Sequence, residues 1–193
     1  MEAVELQRCP WCLGDIDYQN YHDTEWGRPL RDSGKLFALL ILEGAQAGLS
    51  WLTILKRRGG YLQAFDSLDA EKMALYGPKE TERLMADPGI IRNRRKIESA
   101  IGNARAYLEL CEEEGSFSTW LWNFVDGKPI VKRPRSMAEV PASTALSEKI
   151  SKELKMRGFS FVGPTIVYAY LQSAGLVNEH LEYCFCAKPT SGA

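Results

Sequence analysis

The segment Asp32–Glu43, DSGKLFALLILE, constrains this chain more than any other. Asp32 or Ser33 suits an N-cap, and Leu36, Phe37, Leu39, Leu40 and Leu42 then fall on nearly every side of a helix. A rod that is apolar all round has to be enclosed by other elements. Its unbroken apolar run, Leu36–Leu42, is far below the roughly 18 residues a bilayer span needs, so protein must enclose it. The same rod ends on Glu43, just before Gly44. A carboxylate there is costly to bury unless it is paired or has work to do.

The remaining pattern supplies helices to enclose the rod. Trp51–Arg58 is short and amphipathic, ended by Gly59-Gly60, and Pro78 opens a helix through Ala86. From Arg94 to Glu112 the residues Ile97, Ala100, Ile101, Ala104, Leu108 and Cys111 follow helical spacing. Ser118–Val125 is short and aromatic. Leu146–Arg157 closes at Gly158, and Gly163-Pro164 opens a helix through Ser173 that Gly175 ends. Strand-like alternation never persists for five residues, so the fold class is all-α. With 193 residues, 45% hydrophobic and 25% charged, the chain forms one compact domain or two small lobes sharing a core, and an extended disordered protein is excluded. Asp126–Pro141, rich in Pro, Lys and Arg, is the clearest connection between halves.

Soft metal ligands collect at the two ends. Cys9, Cys12 and His22 stand at one, His180, Cys184 and Cys186 at the other, and only Cys111 lies between. The start MEAVELQRCP has neither the basic nor the apolar region of an export signal, so a reducing, cytoplasmic setting is expected, where five cysteines make a poor disulfide framework. Cys9, His22, His180 and Cys184 would fill a zinc tetrahedron with no position left for water, which is a structural arrangement. One such ion would tie the N-terminus to the C-terminus. Cys12 or Cys186 is an alternative ligand, and scattered buried cysteines with ordinary histidines are the bland alternative.

Aromatics crowd the same N-terminal stretch: Trp11, Tyr18, Tyr21 and Trp26, with Trp51 just beyond Glu43. Rings and one carboxylate suit a slot for a flat, positively polarised ring. The net charge of −1 gives no bulk attraction to a polyanion, so contact with nucleic acid would rest on local patches. Two hairpin-like turns offer them. One, Asp87–Lys96, carries Arg92, Arg94, Arg95 and Lys96; the other, Arg157–Thr165, follows Lys149, Lys152 and Lys155. A glycine turn feeding a helix start points N–H groups at a phosphate.

In order along the chain stand CPW, YHDTEWG, LEGAQAGLSW, GIIRNRRKIESAIGNARAYL, KMRGFSFVGPT and GLVNEHLEYC. This set resembles the family I 3-methyladenine DNA glycosylases, a branch of the helix-hairpin-helix glycosylase superfamily, and spans Cys9 to about Cys186. The resemblance implies one unit over residues 1–193, built of two helical lobes with the hairpin near 157–165. It implies one structural zinc per chain on Cys9, His22, His180 and Cys184, and no organic cofactor. It implies a base pocket of Trp11, Tyr18, Tyr21, Glu43 and Trp51, in which Glu43 and Tyr21 bond the lesion and Trp51 stacks. Gly48 and Leu49 would form the intercalating tip, and Gly163 and Thr165 of the hairpin would hold DNA. The implied partner is double-stranded alkylated DNA with a flipped 3-methyladenine nucleotide, met by a monomer, with no membrane. Phe161-Val162-Gly163 keeps only the second of the superfamily's two hairpin glycines, and Asn178 stands where most of that superfamily has a catalytic aspartate. The hairpin helix starts Pro164-Thr-Ile-Val without a lysine, so a monofunctional hydrolase that leaves an abasic site is expected. The rivals are a zinc-stapled DNA-binding module without catalysis, a zinc hydrolase or deaminase, disfavoured by four filled ligand positions, and a helical domain with no active site.

Overall fold

A computed structural model of the chain describes residues 6–187; residues 1–5 and 188–193 of the expected unit lie outside the described residues. Among the described residues, ten α-helices follow in order. They are α1 Ile16–Thr24, α2 Ser33–Gln46, α3 Trp51–Leu55, α4 Arg58–Ala64, α5 Ala70–Ala74, α6 Pro78–Ala86, α7 Arg94–Glu114, α8 Phe117–Asn123, α9 Ala145–Met156 and α10 Pro164–Ser173. The strands β1 (Ile130–Val131) and β2 (Val177–Asn178) add a two-residue parallel ladder, which the absence of alternation did not announce. No helix among the described residues is long and apolar enough to cross a membrane.

The apolar rod is the central helix α2, packed by α3, α7, α8 and α10. Leu36, Phe37 and Leu40 are wholly enclosed. Asp32 is its N-cap, accepting the Lys35 N–H at 2.8 Å. Ser33 instead meets the Ser116 hydroxyl at 3.1 Å, which joins the start of α2 to that of α8.

Two expected boundaries move, and in both a glycine is the reason. α2 does not stop at Glu43 but runs through Gly44 to Gln46. Gly44 is there for close packing, since a Cβ on it would sit 3.4 Å from both the Cβ and the carbonyl oxygen of Phe161. Gly59-Gly60 does not end a helix either. α3 stops at Leu55, and both glycines lie in the first turn of α4. A Cβ on Gly60 would come within 2.3 Å of the Gly89 carbonyl oxygen, so two backbones touch there. α9 closes as its sequence indicates. Gly158 has φ +85°, and the Gly158 and Phe159 N–H groups return to the carbonyls of Lys155 and Leu154 at 3.1 and 3.0 Å.

The chain ends meet around α10. Gly27 donates its N–H to the Gln172 carbonyl and Leu30 to that of Ala174, both at 3.0 Å. The N-terminal segment thus crosses the end of the hairpin helix. That crossing brings residues 9–30 beside residues 172–187.

Candidate functional site

A cavity of about 200 Å³ opens where α1, α2, α3 and α10 converge. Trp11 enters from the turn before α1, Tyr18 and Tyr21 from one face of α1, Glu43 and Gln46 from one face of α2, and Trp51 from the start of α3. Ala169, Gln172 and Ser173 of α10 close the back, and Met137 and Val140 of the 126–141 connection reach the wall. The rings interlock. Trp11 meets Tyr18 edge-on at a centroid separation of 4.9 Å and Trp26 at 5.0 Å, and Tyr21 lies 5.5 Å from Trp51.

Glu43 is 2% exposed. Its Oε1 accepts a 2.6 Å hydrogen bond from the Ser173 hydroxyl, while Oε2 has no partner. Among the described residues only two other buried side-chain polar atoms lack a partner, the Tyr21 hydroxyl and Trp51 Nε1, and both residues line this cavity. Each such atom costs about 1–3 kcal/mol. Three together mark a place prepared to receive polar groups. Burial pushes the Glu43 carboxyl up to about 8, against a smaller downward pull from Ser173. Burial and the nearby Glu43 likewise push the Tyr18 phenol up to about 12. The arrangement offers ring faces, one acceptor, one fixed donor and one hydroxyl. It suits a flat heteroaromatic ring, above all a cationic one that lets the carboxyl ionise.

A second buried carboxylate, Glu179, lies in the same wall but is fully engaged. It accepts from the Tyr168 hydroxyl and from Gln172 Nε2 at 2.7 Å, and pairs with Lys132 Nζ at 3.0 Å.

Behind Trp11 and Trp26 sit Cys9, His22, His180 and Cys184, all buried, with their ligand atoms within 4.8 Å of one another. Cys184 Sγ is 3.5 Å from His22 Nε2 and 3.6 Å from His180 Nδ1, and Cys9 Sγ is 3.8 Å from His180 Nδ1. A zinc tetrahedron with ordinary bond lengths has S···N edges of about 3.6 Å. The remaining imidazole nitrogens face acceptors: His22 Nδ1 meets Asp23 Oδ1 at 2.8 Å and His180 Nε2 meets the Trp26 carbonyl at 3.2 Å. Each ring therefore turns a lone pair toward the cluster. Arg8 in turn grips Asp23 through bonds of 2.8–3.0 Å. Cys12 points away and donates to the Cys9 carbonyl at 3.1 Å. Half-buried Cys186 groups with His22 and Asp23 instead. The donor set and its spacing fit a tetrahedral zinc.

The structure places the remaining expected residues at two corners. Gly48 has φ +76°, with open space where a Cβ would go, and Leu49 beside it is 40% exposed. This turn separates Glu43 from Trp51. At the other corner Phe161 takes φ +54°, adopting the left-handed backbone the missing glycine would have allowed. Ser151 holds the hairpin through the Val162 carbonyl at 2.6 Å. Gly163 caps α10 without a side-chain bond, and Thr165 is exposed in its first turn, where N–H groups lack intrahelical acceptors.

The basic clusters are weaker than their sequence suggests. Arg94 pairs with Glu82 at 2.7 Å, Arg157 pairs with Glu113 and Glu114, and Lys96 binds backbone carbonyls. Arg92, Arg95, Lys152 and Lys155 remain exposed. Sequence reasoning missed Ser173 and Gln172, which reach the cavity only through the fold. It missed Gln46 because the helix was ended too early, although a three-residue step from Glu43 puts both on one face.

Known proteins resemble this chain along nearly its full length. The sequence profile described as methyladenine glycosylase matches residues 11–187. The chain is 48% identical over 181 residues to DNA-3-methyladenine glycosylase 1 of Escherichia coli (strain K12), covering 94% of this chain and 97% of that protein. It is 46% identical over 179 residues to DNA-3-methyladenine glycosylase of Haemophilus influenzae, covering 93% and 97%. A crystallised variant of 3-methyladenine DNA glycosylase I in complex with 3-methyladenine superposes with a TM-score of 0.90 at 41% identity, covering 94% of this chain and 97% of that one.

Proposed function

The chain belongs to the methyladenine glycosylase family, and from that premise we propose how this molecule carries out base excision. It is a hydrolase of the N-glycosidic bond of 3-methyladenine in alkylated DNA, and it leaves an abasic site. One observation carries the reading of the site: the Tyr21 hydroxyl, Glu43 Oε2 and Trp51 Nε1 are buried without partners around one cavity.

Methylation at N3 leaves the adenine ring cationic, so the base is already a good leaving group and the enzyme need lower the barrier by less than for a neutral base. The proposed cycle begins with a DNA phosphate on the first turn of α10, at Gly163 and Thr165. Leu49, raised by the Gly48 turn, fills the stack as the nucleotide leaves it. The base then lies among Trp11, Tyr18, Tyr21 and Trp51. Glu43 gives up its proton to solvent as the positive ring arrives, accepts from the exocyclic amino group of the cationic base, and thereby stabilises the bound lesion. Normal adenine brings no charge to offset ionisation of a carboxyl held near 8 and is rejected. Water completes the hydrolysis. No lysine is among the described residues lining the cavity, in keeping with the absence of a Schiff base and of strand cleavage.

Cys9, His22, His180 and Cys184 would hold one zinc whose contribution is structural, a tie between the chain ends that leaves no ligand position for chemistry. We read the whole as a single unit of two helical lobes, acting as a cytoplasmic monomer in which the free cysteines stay reduced. The decisive experiment incubates the protein with DNA carrying 3-methyladenine, 7-methylguanine and 3-methylguanine and chromatographs the products. Free 3-methyladenine over unbroken strands is expected; tight binding with no released base would leave a DNA-binding module instead.

A further inference from the structure

We propose that Lys96 is a positioning residue for base excision, one that fixes the Gly48-Leu49 turn to the same helix that holds the hairpin. This rests on the reading of Leu49 as the wedge. α2 ends in open carbonyls, as every helix does, and no side chain of its own caps them. Lys96, in the first turn of α7, supplies the cap from 50 residues or so along the chain. Its ammonium donates to the Ala45 carbonyl at 2.8 Å and to the Ala47 carbonyl at 2.7 Å. Ala47 is the residue before Gly48; the turn's own bonds run from the Ala47 N–H to the Gly44 carbonyl at 3.3 Å and from the Leu49 N–H to the Gln46 carbonyl at 2.6 Å, and a Cβ on Gly48 would meet open space.

The same face of α7 grips the hairpin. Ser99 and Asn103 follow Lys96 at the i+3 and i+7 positions and so line up with it. Asn103 forms a two-way pair with Ser160, its Nδ2 donating to the carbonyl at 3.0 Å and its Oδ1 accepting the N–H at 2.8 Å. The Ser160 hydroxyl donates to Ser99 at 2.7 Å. One helical face therefore holds the wedge turn at one end and the phosphate-binding hairpin at the other. Extrusion of a nucleotide needs both contacts in register on one strand, and α7 is the rigid bar between them. Lys96 is thus accounted for without DNA, although its sequence context reads as a phosphate-binding cluster.

The test compares wild type with Leu49→Ala, Lys96→Met and the double variant, by single-turnover excision from duplex DNA and by the affinity for free 3-methyladenine read from Trp fluorescence. Lys96→Met is expected to slow excision about tenfold, the scale of a lost charge-assisted cap, with free-base affinity unchanged. Lys96→Arg, which keeps the donors, should recover most of the rate. The double variant should be no slower than the slower single variant, because both act through one turn. The assignment is overturned if the two losses multiply, if free-base affinity falls along with the rate, or if Lys96→Met excises like wild type. A slow Leu49→Ala beside a normal Lys96→Met removes only Lys96. A Leu49→Ala protein with full activity removes the wedge reading, and Lys96's role with it.

Discussion

The cavity and the Cys/His cluster share two walls, yet their polar atoms are treated in opposite ways. Trp11 and Trp26 stand between them, Trp11 lying 5.2 Å from the His22 ring and Trp26 4.7 Å from that of His180. On the cluster side each imidazole gives its outward nitrogen to a protein acceptor, and Arg8 steadies Asp23 behind one of them. On the cavity side three polar atoms are buried and left open. On the proposed reading the first is a site for a permanent ion, finished by the protein itself, with the cost of burial met once, on folding. A site for a visiting base is left unfinished, and the fold carries that cost until the base arrives. The satisfied Glu179, in the wall that holds the unsatisfied Glu43, shows that burial alone does not leave a carboxylate open here.

Removing the charge of Glu43 should break the comparison most sharply. Glu43→Gln is expected to lower excision of 3-methyladenine by about 10²–10³-fold, the cost of losing a preorganised electrostatic contact. The same variant should be more stable than wild type at alkaline pH. The folded carboxyl sits near 8, above its ordinary 4.5, so its contribution is fully present below 4.5 and is lost as pH rises through 8. The whole difference is about 5 kcal/mol in favour of the variant once ionisation is complete. Thermal melts at pH 5 and pH 9 measure it, and equal shifts at both would show that Glu43 is not held protonated. Cys184→Ser is the next largest. Loss of one of four ligands should lower stability by about 3 kcal/mol and reduce bound zinc, while the excision rate of the protein that stays folded changes little. Denaturant midpoints, metal analysis and active-site-normalised rates decide this. A variant of unchanged midpoint and zinc content but without activity would move the cluster from scaffold to chemistry.

These two regions were unequally legible in the sequence. The cluster's region was readable because soft ligands are few and collect at the two ends, but that chemistry left Cys12 and Cys186 open as alternatives, and it is the fold that turns Cys12 toward the Cys9 carbonyl and groups Cys186 with His22 and Asp23. Glu43 was readable because it is the one carboxylate inside the apolar helix α2. Ser173 was not, since a serine at a helix end has no local signature and reaches Glu43 only because α10 lies across α2. The boundaries at Gly44 and Gly60 misled for one reason: each glycine answers to a neighbour distant in sequence, Phe161 and Gly89, which no local pattern contains. The helices themselves, α6 through α10, followed from capping residues and 3.6-residue spacing to within two residues at each end.

The smallest expected effect is also the most discriminating. Ser173→Ala removes the single hydrogen bond that Glu43 receives and leaves the carboxylate itself in place. That bond pulls the carboxyl down, so its loss should raise the pKa further. On the proposed reading free enzyme must ionise Glu43 to take a cationic base, so kcat/KM is expected to rise with pH until the carboxyl has titrated, near 8 in wild type. In the variant this limb should move to higher pH by about one unit, the scale of one hydrogen bond to a charged group. Excision then falls about tenfold at pH 7 and recovers toward the wild-type rate above the new pKa. A uniform loss at every pH would instead mean that Ser173 touches the base directly, and the cavity would have four open contacts to offer rather than three.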